Sequence, residues 1–427
     1  MRHADSLTGG AGRSGPNARD GRESRFDSRS LPAEVQDFYE RYPYPRPLDN
    51  LDDYRTRWQD ESRRRADFHL FWPAASYREG GRILVAGCGT SQAAKHALRW
   101  PKAMVTGIDF SATSVRSTED LKRKHGLANL EVQQLPIERV GELAKTFDHV
   151  VCTGVLHHLE DPGAALLALR DVLEPHGALH LMVYAPYGRA GVYMIQEFCR
   201  LAGVPTSDDG IRQLIAALEE LPARHPLARL LRDAPDFRRE GALADALLHP
   251  QDRAYSVPQL FEFLEGAALR FGRWVRQAPY SPRCGLMARL PQAAHVAALA
   301  PPQQAAAAEL FRGTMTAHSV IVYRNDGPEQ RIAFTGDAWL AYVPIRLPDT
   351  LCIQERLPPG AAAVLINRAH TSHDVYLPID AQEKRLFDAI DGESSIGALA
   401  GSVDRELARA LFEKLWWHDQ VVFDSSR

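Results

Sequence analysis

Arg82-Ile83-Leu84-Val85-Ala86-Gly87-Cys88-Gly89-Thr90-Ser91-Gln92, continuing from Ala93 to Trp100, is the stretch that decides the fold. A short apolar run bounded by glycine reads as a buried strand. Gly87 and Gly89 supply a tight turn, and the Ala-rich segment restarts as a helix that stops at Pro101. A glycine loop of this kind lets the main chain approach a ligand closely, while the free N–H groups of the helix start favour an anionic group. Strand, loop and helix together predict a nucleotide-type pocket.

Moving outward, a second apolar run, Ala103-Met104-Val105-Thr106-Gly107-Ile108, ends on Asp109, about twenty residues past the loop. A carboxylate there is placed to accept both hydroxyls of a ribose. The dinucleotide fingerprint Gly-x-Gly-x-x-Gly needs a third glycine where this chain has Gln92, which disfavours nicotinamide and flavin. Farther on, Ser111 to Ser114 can cap a helix reaching Lys124, and Leu130 to Gln134 reads as a third strand. Phe147 to Gly154 reads as a fourth strand, Pro162 to Leu173 as a helix and Ala178 to Tyr184 as a fifth strand. Such alternation predicts a parallel, doubly wound α/β sheet.

Beyond the fifth strand, Ile211, Leu214, Ile215 and Leu218 recur at helical spacing, so about 190 to 250 reads as a helical insertion that shapes a pocket. A capped helix from Ser256, a sixth strand over Leu269 to Val275, an Ala- and Gln-rich helix from Gln303 to Phe311 and a seventh strand over His318 to Tyr323 complete the sheet. The first domain then spans 81 to 325. From 326 to 427 the pattern changes: short strands at Arg331–Thr335, Leu351–Glu355, Ala362–Ile366 and Val375–Leu377 precede three helices and a last strand, Val421–Phe423. That order suggests a small α+β, winged-helix-like domain with a substrate-binding or regulatory role.

On the N-terminal side, residues 1 to 30 carry too little apolar surface to offset ordering entropy and are expected to be disordered. Residues 31 to 80 form a helical arm: a helix from Leu31 to Tyr39, the stiff Tyr42-Pro43-Tyr44-Pro45-Arg46-Pro47 run, and one amphipathic helix from Asp52 to Phe71 closed by Pro73. Tyr39, Tyr42 and Tyr44 can act as a lid whose ring hydroxyls reach a ligand, or simply pack the arm on the surface.

Composition bounds the partners. With 45% hydrophobic and 25% charged residues the chain can bury a full core, and a net charge of -3 gives no overall pull toward nucleic acid. Cys88, Cys152, Cys199, Cys284 and Cys352 are scattered without a Cys-x-x-Cys pair, against zinc or a disulfide scaffold. His370-Thr371-Ser372-His373 lacks companion ligands and reads as a polar turn, so no metal is expected. No apolar run is long enough for a membrane span or a signal core, which points to the cytoplasm.

The loop, Asp109, the stretch Phe147 to His158 and the fifth strand together resemble a class I S-adenosylmethionine-dependent methyltransferase over about residues 80 to 325, with a Rossmann-like seven-stranded sheet. The resemblance implies S-adenosylmethionine as cofactor. It assigns Gly87, Cys88, Gly89, Thr90, Ser91 and Gln92 to the methionyl end, Asp109 to the ribose, Phe110 to the adenine face, and Gln134 with Leu135 to the adenine edge. Cys152-Thr153-Gly154-Val155-Leu156-His157-His158-Leu159 resembles the motif that faces cofactor and acceptor, which brings in Thr153 and Gly154. Two positions depart from the family pattern: Val85 stands where an acid is usual and Ser91 where a third glycine is usual. Gln92 or the Tyr39–Tyr44 arm is expected to make up the loss, and a bacterial subset with a Tyr-Pro-Tyr-Pro arm and a Val-Ala-Gly-Cys-Gly-Thr loop is similar to this chain.

Methyl transfer from a sulfonium needs alignment and water exclusion more than acid–base help. If the acceptor must lose a proton, His157 or His158 has a suitable unperturbed pKa; otherwise either packs the strand end. The insertion and the terminal module favour a protein or peptide acceptor, and an enclosed pocket under the tyrosines would favour a small metabolite. A cofactor-binding regulator without catalysis is the third reading.

Overall fold

The computed structural model describes residues 31–42, 46–233 and 239–426. The expected tail over 1–30, and Tyr44, lie outside them. Seven strands form one sheet: β1 (Gly81–Ala86), β2 (Ala103–Asp109), β3 (Leu130–Gln134), β4 (Phe147–Thr153), β5 (Leu173–Tyr184), β6 (Leu269–Trp274) and β7 (Ala317–Arg324). Their order is β3-β2-β1-β4-β5-β7-β6, parallel except for β7, which runs antiparallel to both neighbours. This is the expected Rossmann-like α/β sheet.

Period-two patterning explains why the sheet is buried on both faces. In β1, Leu84 and Ala86 enter one core cluster with Ile108, Val150 and Leu181. Ile83 and Val85 enter the other with Val105, Val151 and Ile321. The strand stops at Gly87, whose φ of 68° suits glycine and where a Cβ would lie 2.4 Å from Val155 Cγ2.

The helices in chain order are α1 (Leu31–Arg41), α2 (Asp52–Trp58), α3 (Glu61–Phe71), α4 (Gln92–Arg99), α5 (Ala112–His125), α6 (Pro162–Asp171), α7 (Ala190–Ala202), α8 (Asp208–Glu219), α9 (Pro226–Asp233), α10 (Glu240–Leu247), α11 (Val257–Gly266), α12 (Ala293–Ala297) and α13 (Pro301–Arg312). The single helix expected over 52–71 is two. The first ends at Trp58, and Asp60 caps the second, accepting from Ser62 N at 2.9 Å and Arg63 N at 3.4 Å. Helices α7 to α10 build the insertion after β5, and Phe38 and Tyr42 of the arm join its apolar cluster.

After β7 come β8 (Val343–Arg346), β9 (Thr350–Ile353), β10 (Ala363–Asn367), β11 (Leu377–Ile379), α14 (Ala381–Asp388), α15 (Ile396–Ala400), α16 (Arg405–Trp417) and β12 (Val421–Asp424). The strand expected at 331–335 is irregular chain, held because Ile332 and Phe334 fill the terminal core. Strand β8 escaped the pattern because Pro344 interrupts it, yet it pairs antiparallel with β12, Pro344 facing Phe423. His370, expected in a polar turn, is in a loop with its Nε2 3.0 Å from the buried Asp419 carboxylate. Trp416 packs on the terminal core, and Arg283 lies over the Trp417 ring. Among the described residues, no helix is long and apolar enough to cross a membrane.

Candidate active site

A cavity of about 570 Å³ opens at the carboxyl ends of β1, β2 and β4, where the chain's switch in strand order leaves a crevice. Gly87, Asp109, Phe110, Leu135, Val155 and His158 line it, with Val35 of the arm and Gln251 from the loop after α10. Among the described residues, no group of three His, Cys, Asp or Glu side chains is arranged to hold a metal ion.

Asp109 is buried at the end of β2, and its carboxylate accepts from Gly89 N at 2.8 Å and Ser111 N at 2.9 Å. Burial pushes its pKa up to about 6, against the opposing pull of those two amide bonds. A carboxylate has about four acceptor sites, so these main-chain bonds leave it capacity for a further hydroxyl donor. The glycine loop is thereby tied to the acid that follows it. Cys88 packs in the turn, its N–H donating to Ile108 O at 2.9 Å, and burial raises its thiol well above the usual range.

The remaining candidates separate. Gln134 Nε2 donates to Phe110 O at 3.0 Å, fixing the Phe110 turn, and Leu135 lies on the cavity wall. Thr90 and Ser91 are buried in the loop. Gln92 Nε2 reaches Thr153 Oγ1 at 3.3 Å, so it braces the end of β4 and is not among the cavity-lining side chains. Gly154, at φ 80°, turns the chain toward the two histidines.

Those histidines are unlike. His157 is fully buried against Tyr184, ring centroids 3.8 Å apart, and neither of its nitrogens has a hydrogen-bond partner. Burial drives its pKa well below the usual value, so it stays neutral and away from the cavity. His158 lines the cavity, and its Nδ1 lies 2.9 Å from Gln251 O. A carbonyl can only accept, so Nδ1 is the protonated nitrogen of the neutral ring and Nε2 carries the lone pair.

The arm tyrosines also part company. Tyr39 stands edge-on to Phe110 at 5.9 Å and to His158 at 6.4 Å, donating its hydroxyl to Asp245 Oδ1 at 2.8 Å. Burial, then the Asp245 charge, raise its pKa well above the usual value. Tyr42 turns to Asp208 of the insertion at 2.9 Å. Glu40 between them accepts from Ala112 N at 2.6 Å and from Thr113, tying the arm to the start of α5.

Asp245, His249 and Gln251 were not singled out in sequence. The available signal was Asp245 itself, a lone carboxylate inside the apolar run Ala242 to Leu248. Buried there, it holds Tyr39, and burial raises its pKa.

Residues 84–181 match the family model described as a methyltransferase domain. The sheet order above is that of the Rossmann-like methyltransferase fold. An uncharacterized Synechococcus protein, syc1184_c, is 34% identical over 253 residues, covering 57% of this chain and 60% of that protein. The ubiquinone biosynthesis O-methyltransferase of Acinetobacter baylyi is 28% identical over 133 residues, 31% of this chain and 50% of that enzyme. The chain thus spans half to three fifths of the length of these relatives. Among solved structures, PKMT2 from Rickettsia typhi in complex with AdoHcy shares the fold with a TM-score of 0.60 and 16% identity, covering 86% of this chain and 75% of that one.

Proposed function

We propose that the chain transfers a methyl group from S-adenosylmethionine to an acceptor seated beside His158 under the N-terminal arm. The observation that carries this is the Gly89–Asp109–Ser111 knot on the cavity wall, a buried carboxylate with acceptor capacity left over beside a loop that admits no side chain at Gly87. These residues fit the cofactor: Asp109 for its ribose hydroxyls, the faces of Phe110 and Leu135 for its adenine, and the main chain of Gly87 to Gly89 for its methionyl end. When bound, the cofactor supplies an already activated methyl group.

The protein's own part is to align, to exclude water and to receive a proton. His158 presents the Nε2 lone pair, held in that tautomer by Gln251, and is the base for any acceptor that must be deprotonated. His157, with its depressed pKa and its place off the cavity, supports the strand end. Tyr39 steadies the arm beside His158 through Asp245, and Gln92 acts through Thr153.

One observation favours a small acceptor over a protein or peptide. Tyr39, latched to Asp245, packs edge-on to His158, and every residue lining the cavity comes from between Val35 and Gln251, leaving the terminal unit outside it. The test is a labelled-methyl screen of cell extract separated into protein and low-mass fractions. Label in low-mass products is expected; label only in protein would restore the protein acceptor, and none in either would remove the proposed activity.

A further inference from the structure

Helix α7 is apolar on two opposite sides. Val192, Ile195 and Cys199 turn inward and join the buried cluster of the insertion. At about 100° per residue, Ala190, Met194, Phe198 and Leu201 fall on the other side, within about 40° of Met194. All four are exposed, and Met194, Phe198 and Leu201 keep 52%, 50% and 73% of their surface in solvent. A surface helix ordinarily sets polar residues on its outer side, and a helix that is apolar all round is a buried one. This outer stripe, about 17 Å long, therefore marks an interaction surface.

We propose that the stripe is the contact of a two-fold dimer, in which α7 of one copy lies antiparallel against α7 of a second copy of this chain. The pattern is self-complementary, because Met194 and Leu201 lie equally far from a point between Glu197 and Phe198. A two-fold axis at that level, perpendicular to the helix, sets Met194 of each copy level with Leu201 of the other and the two Phe198 rings beside the axis. Charge agrees with this geometry. Glu197 and Arg200 pair along one edge of the stripe at 2.5 Å. The axis brings that edge of both helices to the same side of the contact, and each Arg200 then stands within about 3 Å, measured along the helix, of the level of Glu197 in the other copy. Two carboxylates and two guanidiniums meet there, and their charges cancel. An anionic membrane surface fits less well, since it would face Glu197 and the exposed Asp208 and Asp209 that begin α8.

Size and place set the consequences. One pair of short helices covers less than the ~800 Å² per copy of a standard interface, so dissociation in the micromolar range is expected. No residue of α7 lines the cavity, which keeps the contact apart from the proposed methyl-transfer site. Gln196 of α7 donates to Ala246 O at 2.8 Å and to Asp252 Oδ2 at 2.9 Å, so pairing also braces α10 from behind.

The test is sedimentation velocity of the full chain across about 1–200 μM, a range that brackets micromolar dissociation. A reversible shift from the 47.6 kDa monomer to twice that mass is expected. Phe198→Asp should weaken the dimer about thirtyfold or more, and Leu201→Lys about tenfold or more, because each change acts twice across the axis. Position 201 is 73% exposed, so Leu201→Lys keeps the test valid if Phe198→Asp fails to fold. Glu197→Arg and Arg200→Glu, each alone, place four like charges at the edge and should each weaken the dimer about fivefold. Mixing these two variants, or combining both changes in one chain, should restore it. A chain that stays monomeric throughout overturns the proposal, as does a dimer that neither Phe198→Asp nor Leu201→Lys weakens. Charge reversals without effect, alone or mixed, overturn the antiparallel pairing. Vesicles of equal parts phosphatidylglycerol and phosphatidylcholine supply the remaining arm: pelleting of the chain that Phe198→Asp abolishes would assign the stripe to a membrane surface instead.

Discussion

Asp109 works as a carboxylate buried between two amides, which makes its ionisation the sensitive point of the site. Burial lifts its pKa to about 6, so below that pH the acid binds a proton and loses acceptor capacity toward the ribose hydroxyls of the proposed cofactor. S-adenosylmethionine affinity is therefore expected to fall about tenfold between pH 7 and pH 5, measured by calorimetry; a flat profile would show that Asp109 does not contact the cofactor as an anion. Gly87 makes a second residue-scale prediction. Gly87→Ala meets both an unfavourable φ of 68° and Val155 Cγ2 at 2.4 Å, and should cost about 1–3 kcal/mol in denaturant unfolding. Adding Val155→Ala removes the collision but not the strain, so only part of that loss should return. Both residues were legible in the sequence because strand, glycine turn and second-strand acid are fixed by local spacing. His249 and Gln251 were not, since their meaning depends on a ring contact and a main-chain bond to His158, more than ninety residues away in the chain.

At the scale of elements, the arm is fastened at both ends of a short span. Glu40 accepts from the first N–H groups of α5, supplementing the Ser111 cap, and its pKa falls because those hydrogen bonds outweigh the burial that would raise it. Tyr39 fastens the other side to α10. Glu40→Gln is expected to speed hydrogen exchange across residues 31–42 and the first turn of α5, while the sheet strands stay protected. Unchanged exchange in the arm would mean that its apolar packing alone holds it. Of the three tyrosines expected as a lid, Tyr39 packs edge-on to His158, Tyr42 anchors to the insertion, and Tyr44 lies outside the described residues. Sequence period distinguished the sheet strands well but failed at β8, where proline hides a real pair, and at 331–335, where an apolar pattern fills a core without forming a ladder.

Across the whole molecule, buried polar groups stitch the terminal unit to the sheet. Asp419, fully buried, meets Arg273 of β6 at 3.1 Å and His370 at 3.0 Å and accepts from Ala278 N at 3.0 Å. Asp419→Ala would leave Arg273 uncompensated, and a loss of about 3–5 kcal/mol is expected in unfolding of the full chain. A loss under about 1 kcal/mol would mean that the apolar contacts alone hold the unit in place. Acid stability is set elsewhere. Burial holds His96 and His149 well below their ordinary value and His180 at about 4, so in the folded chain all three are neutral. In the unfolded chain they protonate near pH ~6.5, so the stability they confer is complete above that pH and declines as pH falls toward the folded values, by up to about 2 kcal/mol each at pH 5. Asp109, with its raised pKa, offsets a small part in the opposite sense, because folding favours its protonated form between about 6 and the ordinary carboxylate range. Denaturant midpoints should therefore drop from pH 7 to pH 5.

The most direct test of the account is calorimetric titration of the full chain with S-adenosylmethionine and S-adenosylhomocysteine, run in parallel on Asp109→Ala. One-to-one binding by the unaltered chain, lost or at least tenfold weaker in the variant, is the result the Gly89–Asp109–Ser111 geometry predicts. Binding that is absent from the unaltered chain, or equally tight in Asp109→Ala, would contradict it.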